Sequence, residues 1–310
     1  MTVSKHPYKQ YQHTLVNILK ISNGDFYINR DANVKRLHHS IVNIPSVMRN
    51  VIKYDGKSLV SIDIKNSQPY LSLLLLNPDF WNKKSSKLKC EAKNSSKIID
   101  LVNFSIITKY LSNNKHHSTY TMLVKTVKPL INSGFEEYID SVTSGQFYEI
   151  LNEHIAAKTG TKISSRKQLK AVMFLVLFSA YGYRGLNKND TTFKRLFEHK
   201  YRQVSRVFNA IKKEGKELLP CLLQSIESYL ILEVITKRIS KEHPEAPLFT
   251  IHDSIATTID YVEVVKNIML EELTKAVGYA PQLHIEEWQL ENMHKHLNEL
   301  RDKANSLRSA

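Results

Sequence analysis

A helix-rich α/β fold of the α+β kind follows from three features of the sequence. Two short runs, SLVSIDIKNSQPY around Asp63 and LFTIHDSIATT around Asp253, alternate apolar and polar residues and so read as half-buried strands. Most of the remaining chain carries helical periodicity instead. Nine glycines and nine prolines in 310 residues, with no stretch rich in either and no internal repeat, leave no linker between independent domains.

Residues 1–35 place Leu15, Ile18 and Leu19 on one helical face and run into an Asn23-Gly24-Asp25 turn. From Arg36 an irregular basic segment, RLHHSIVNIPSVMRNVIKYDGKSLVSIDI, passes through a short helix with Ser46 as N-cap. It then turns at Asp55-Gly56 into the Asp63 strand. The run PYLSLLLL predicts an apolar helix begun by Pro69, a position that suits proline. Residues 83–97, KKSSKLKCEAKNSSK, are polar and basic, either a solvated surface loop or one that touches phosphate. Residues 98–160 read as helices separated by SNNKHHS and INSG. His116-His117 invite a metal, but adjacent residues point different ways on a helix.

A long helix is expected after Ser164-Ser165. Arg166, Lys170, Phe174 and Phe178 recur every four residues and Tyr181 returns to the same side, all within about 120° of arc. This face begins cationic and ends aromatic before Gly182 breaks the helix; alternatively the aromatics are core and the cations solvated. Residues 200–240 are helical, with Pro220 near the start of LLQSIESYLILEVITKRI and Gln224 its polar residue. After the Asp253 strand come an amphipathic helix, YVEVVKNIMLEELTKAV, a strand, PQLHIEEW, and a charged helical tail expected to fray.

Lysine plus arginine outnumber aspartate plus glutamate by 44 to 30, a net charge of +14. That excess favours a polyanionic partner, nucleic acid ahead of an acidic membrane surface, because phosphate neutralisation releases counterions. Two cysteines, Cys90 and Cys221, exclude a disulfide framework and a zinc cluster. The polar start lacks the apolar core of a signal peptide, and the run AVMFLVLFSAYG from Ala171 is too short to span a bilayer. A soluble, intracellular protein is expected.

The two aspartates carry the chemistry. A carboxylate inside an apolar strand is costly unless a cation or donor satisfies it. Two of them, distant in sequence yet able to meet on neighbouring strands, point to a divalent-metal site at Asp63 and Asp253.

The order of these pieces resembles family A DNA polymerases. In that family an Arg-Leu pair and an Asn-Ile-Pro element precede the first catalytic aspartate; here stand Arg36-Leu37, Asn43-Ile44-Pro45, Arg49 and Asp63. The helix bearing Arg166 and Lys170 is similar to the family's nucleotide-binding fingers helix. Gln224 falls where a glutamine-bearing helix precedes the last motif, and His252-Asp253 resembles that motif. The resemblance spans about residues 36–290, with the four motifs in the family's order. There are departures. Eight residues after Lys170 the family has tyrosine and this chain Phe178, with Tyr181 three further on, so Phe174, Phe178 and Tyr181 remain alternatives for the stacking face. Gln68 stands where the DNA polymerases carry a glutamate that excludes the ribose 2′-hydroxyl. Ser254 replaces the last motif's glutamate, as in single-subunit phage and mitochondrial RNA polymerases.

The resemblance implies a right-hand polymerase palm with an antiparallel sheet and helical fingers, the thumb reduced or absent, which leaves room for an accessory protein in its place. It implies an N-terminal helical segment at 1–35, palm at 36–82, helical insertion at 83–163, fingers helix region at 164–215, and palm plus C-terminal helix at 216–310. Two Mg²⁺, or Mn²⁺ in their place, would be held by Asp63, Asp253 and the Ile64 carbonyl. Arg166 and Lys170 would hold a nucleoside triphosphate, with Gln68 beside its sugar. Arg36, Asn43, Arg49, Gln224 and His252 would contact a primer–template. The implied activity is primer extension with dNTPs. Its alternatives are a small RNA polymerase or primase-like enzyme, and a non-catalytic nucleic-acid-binding protein on a decayed polymerase fold.

Overall fold

The computed structural model describes residues 7–81, 117–183 and 188–308; the basic segment 83–97, Cys90 and His116 lie outside these. In chain order the elements are α1 (Pro7–Ser22), β1 (Ile28–Arg30), β2 (Leu37–His39), α2 (Ser46–Arg49), β3 (Lys53–Tyr54), β4 (Lys57–Ile64) and α3 (Ser67–Leu71). After 3₁₀ turns at Ser72–Leu76 and Pro78–Trp81 follow α4 (His117–Val127), α5 (Glu136–Thr143), α6 (Phe147–Thr159), α7 (Arg166–Phe178), α8 (Lys188–Lys200) and α9 (Arg202–Glu214). Next come α10 (Leu218–Ser228), a π-helical stretch at Tyr229–Ile235, α11 (Thr236–Glu242), β5 (Phe249–Ile251), β6 (Ser254–Thr258), α12 (Val262–Val277), β7 (Leu283–Glu287) and α13 (Leu290–Arg308). The fold is helix-rich α+β with antiparallel pairing, as the sequence predicts.

The chain divides into two compact units. The first takes in the described residues of Met1–Asp63, Ile231–Met269 and Leu283–Ala310. Its sheet runs β3-β4-β6-β5, and β7 also pairs with β4. Val60, Ile62 and Ile64 of β4 are buried while Ser61 and Asp63 are half-buried, the alternation read from the sequence. β6 lies between β4 and β5 and is buried along its whole length. Ile41, Leu59, Ile251, Ala256 and Trp288 form a core cluster, and the Trp288 backbone N–H donates to the Leu59 carbonyl at 2.8 Å. The β3–β4 turn is made by Asp55 and Gly56, both at positive φ, as two-residue hairpins require.

The second unit takes in the described residues of Ile64–Leu230 and Leu270–Gln282. Its core holds Tyr138 in edge-to-face contact with Phe147, Tyr201, Phe197 and Phe208. Such rings bury large apolar area provided each hydroxyl finds a partner. Tyr138 shares a hydrogen bond with Ser72 at 2.9 Å, and Tyr201 donates to Ser141 at 3.0 Å.

Several local expectations change. Pro45, not Ser46, occupies the N-cap of α2. The helix after Asp63 starts at Ser67 rather than Pro69, from Asn66 in the left-handed conformation, and tightens into 3₁₀ geometry at Ser72. The segment from Arg36, read as irregular, opens with β2 paired to β1, strands of three residues each. The C-terminal helix expected from the sequence spans Leu290–Arg308. By length and composition the 25-residue helix Leu218–Glu242 is also long and apolar enough to cross a bilayer, a segment the sequence reading passed over. Of its most apolar 18-residue window 56% is buried within the protein, as in core helices.

Candidate active site

In the first unit the strand register brings the two aspartates to one corner of the sheet. Asp63 ends the β4–β6 ladder opposite Ser254, the residue that follows Asp253. Asp253 is not inside a strand, as the alternation suggested. His252 and Asp253 form the two-residue turn between β5 and β6, with His252 at φ 56°. A tight hairpin needs a positive φ there, and a non-glycine residue holding it marks strain of the kind found at functional sites. Asp63 and Asp253 are both half-buried.

Cations gather around this turn. Arg36, His38 and Arg49 act electrostatically on His252, whose pKa is lowered first by burial and then by these charges, against the opposing pull of Asp253. The His38 and His252 rings meet edge to face at 6.3 Å. His39 donates to the Thr250 carbonyl at 2.7 Å, and burial keeps it below its ordinary value. Arg49 is tied to backbone, donating from Nε to Ile44 O at 3.0 Å and from Nη2 to Val42 O at 3.2 Å. It therefore braces the Asn-Ile-Pro segment as well as charging the corner. Asn43 is exposed on that segment.

Two half-buried carboxylates with a strand carbonyl beside one of them, at Ile64, suit Mg²⁺, which takes hard oxygen ligands and keeps several waters. Among the described residues no group of three or more His, Cys, Asp or Glu forms a closed metal cage.

In the second unit α7 presents the face read from the sequence. Leu169, Val172, Met173, Val176 and Leu177 are buried, which leaves Arg166, Lys170 and Phe174 on the solvent side. Phe174 is 64% exposed, and its ring lies 4.3 Å from that of Phe178, tilted by 35°. Phe174 is therefore not core, and Phe178 is half-buried. Arg166 lies over the Tyr148 ring at 5.8 Å. With no acidic residue in its first turn, this helix end favours an anion through its dipole and both cations. Tyr181 departs from the prediction. The helix ends at Phe178 with Ser179 extended, so Tyr181 lies in the following turn, half exposed, with Lys213 Nζ 4.9 Å from its ring centre.

Gln68 on α3 donates from Nε2 to Glu227 Oε2 at 2.5 Å, while its own Oε1 is buried without a hydrogen-bond partner. Asn66 is 7% exposed, sits at φ 55°, and neither of its amide atoms has a partner. Buried polar groups left unsatisfied are rare enough to mark where a ligand or water belongs. Gln224 is half-buried on α10, one turn before Glu227. Sequence reasoning missed Glu227, Asn66 and His38. Glu227 had a signal, as an acid in the otherwise apolar SIESYLIL; Asn66 and His38 had only their nearness to Asp63 and Arg36.

No family model matches this chain, and no curated protein matches it. Among solved structures, the polymerase domain of Pol1 from M. smegmatis, in complex with DNA primer-template and dNTP, is similar over 90% of this chain. The identity is 10% and the TM-score 0.37, and the chain spans about half (51%) of that structure's length.

Proposed function

We propose that this protein is a template-directed nucleotidyltransferase, a DNA polymerase of the family A type that extends a primer 3′-hydroxyl with dNTPs. The observation that carries the reading is the β4–β6 register, which sets Asp63 opposite Ser254 and so beside the Asp253 turn. Two aspartates 190 positions apart in the chain share one sheet corner.

Asp63, Asp253 and the Ile64 carbonyl would hold two Mg²⁺. When bound, such ions neutralise charge on the attacking and leaving oxygens of phosphoryl transfer. The chain's own residues do the rest. Arg166 and Lys170 would grip the triphosphate, the first as a planar fork and the second as a point charge. Phe174 and Phe178 offer the base a stacking surface, with Tyr181 beyond them. Arg36, Asn43, Arg49, Gln224 and His252 would contact primer and template, largely through phosphate and minor-groove acceptors. In the reaction the 3′-oxygen forms a bond to the α-phosphorus as the bond to pyrophosphate breaks, and the hydroxyl proton is released.

A second reading, RNA synthesis, is favoured by Ser254 and by the buried, unpartnered Gln68 Oε1, an acceptor that a 2′-hydroxyl would satisfy. Primer extension with Mg²⁺, supplied with dNTPs or with rNTPs, tests both. Extension with dNTPs supports the first reading and with rNTPs alone the second. Nucleic-acid binding with no extension under either condition refutes catalysis and leaves a binding protein.

A further inference from the structure

Behind the exposed face of α7 lie two lysines where lysine is rarely found. Lys194 on α8 is 4% exposed and Lys212 on α9 is 3% exposed. Lysine is almost never this buried unless its ammonium group is matched by acceptors. Both lysines reach one place, the end of α7 and the turn after it. Lys212 donates to the Val176 carbonyl, one of the last-turn carbonyls that an α-helix leaves without an intrahelical partner. Lys194 donates to Ser179 Oγ at 3.1 Å and to the Tyr183 carbonyl at 2.6 Å, which lie on either side of Tyr181. Lys213, next to Lys212, covers the Tyr181 ring. Cations near a helix C-terminus are favoured by its dipole, so these side chains form a charged cap supplied by two neighbouring helices.

The cap's position gives it a consequence for the face. Ser179 leaves helical geometry at the first residue past Phe178, although no proline is present and the nearest glycine is Gly182. Where the helix stops decides the direction of Phe178 and takes Tyr181 off the helix. We propose that Lys194 and Lys212 are positioning residues. They hold the end of α7 so that the Phe174–Phe178 pair and Tyr181 are preset to receive a nucleotide base. This inference rests on the reading of α7 as the nucleotide-binding helix.

The test uses the full chain with Lys212→Met and Lys194→Met, which keep the length of the side chain and remove its donor. Replacing a buried charge by an apolar residue of similar size is often tolerated by the fold. Ser179→Ala, which removes a single acceptor, serves as the milder variant. Two readouts are taken. In hydrogen exchange, the amides of Ser179 and Tyr183, bonded to Leu175 and Ala180 in the wild type, should exchange faster in each lysine variant. Those in the first two turns of α7 should stay as they were. In primer extension, nucleotide KM should rise by roughly tenfold, about the weight of one base-stacking contact, with kcat changed by less than about threefold. Faster exchange with unchanged KM overturns the positioning role and leaves a purely structural cap. Unchanged exchange overturns the cap itself. If wild type extends no primer, the nucleotide reading of α7 fails and this proposal with it, whatever the exchange shows. Should a lysine variant fail to fold, Ser179→Ala carries both readouts with the same expected directions.

Discussion

Phe174→Ala separates a stacking platform from a core residue. A fully buried phenylalanine cut to alanine costs about 3–5 kcal/mol. Phe174 keeps only about a third of its surface away from water, being 64% exposed, so the expected loss is about 1 kcal/mol, much of it the contact with Phe178. Leu177, on the buried side of the same helix and 1% exposed, should cost about 2–5 kcal/mol when cut to alanine. Nucleotide binding should respond in the other order. Stacking of a base on an aromatic ring contributes about 1–3 kcal/mol, so Phe174→Ala should weaken nucleotide binding by roughly five- to 150-fold. Thermal or urea unfolding gives the first quantity, and nucleotide titration in primer extension gives the second. A stability loss above about 3 kcal/mol, or a nucleotide KM within twofold of wild type, would refute the assignment of Phe174 to an open platform.

Lys170→Ala, at an exposed position, should leave stability within about 0.5 kcal/mol and raise nucleotide KM on the order of tenfold to a hundredfold; unchanged kinetics remove Lys170 from the triphosphate site. Burial and the neighbouring Lys194 push Lys212 down to about 7 from the ordinary lysine value of 10.5. The unfolded chain therefore binds more protons than the folded one between these values. Lys212 accordingly makes stability rise with pH from about 7 upward, by at most about 1.4 kcal/mol per pH unit, and adds no slope below pH 7, where both states are protonated. Lys212→Met should flatten that rise in unfolding experiments from pH 6 to 9, and an identical slope in wild type and variant contradicts the burial of a titrating ammonium. The amine still donates when neutral, so the cap on Val176 survives deprotonation. Gln68→Gly should abolish whatever preference the wild type shows between dNTPs and rNTPs, and equal discrimination by the two proteins places Gln68 away from the sugar.

The Asp63 strand was legible because Val60, Ile62 and Ile64 alternate with polar residues on a strand that keeps one side half-open. The Asp253 run looked the same and folded differently. A His-Asp pair lacks the Asn-Gly or Asp-Gly signature of a tight hairpin, so nothing local marked His252 as a turn residue with positive φ. Asp55-Gly56 carries that signature and was recognised. The outward face of α7 was visible in its four-residue spacing, but its end was not, because Ser179 is extended where Lys194 and Lys212 arrive from other helices. Within FKRLFEHK and IKKEG those lysines read as ordinary surface charge, and burial is a property of the packed chain alone. Strands β1 and β2 are too short to show any period.

The central claim is that Asp63 and Asp253 together hold the catalytic ions. Single-nucleotide incorporation on a primer–template, with Mg²⁺ and then with the ion chelated, measures it directly in Asp63→Asn and Asp253→Asn. The account predicts that each substitution abolishes incorporation as completely as chelation does, while primer–template affinity stays within a few-fold of wild type. Near-normal incorporation by either variant would contradict it.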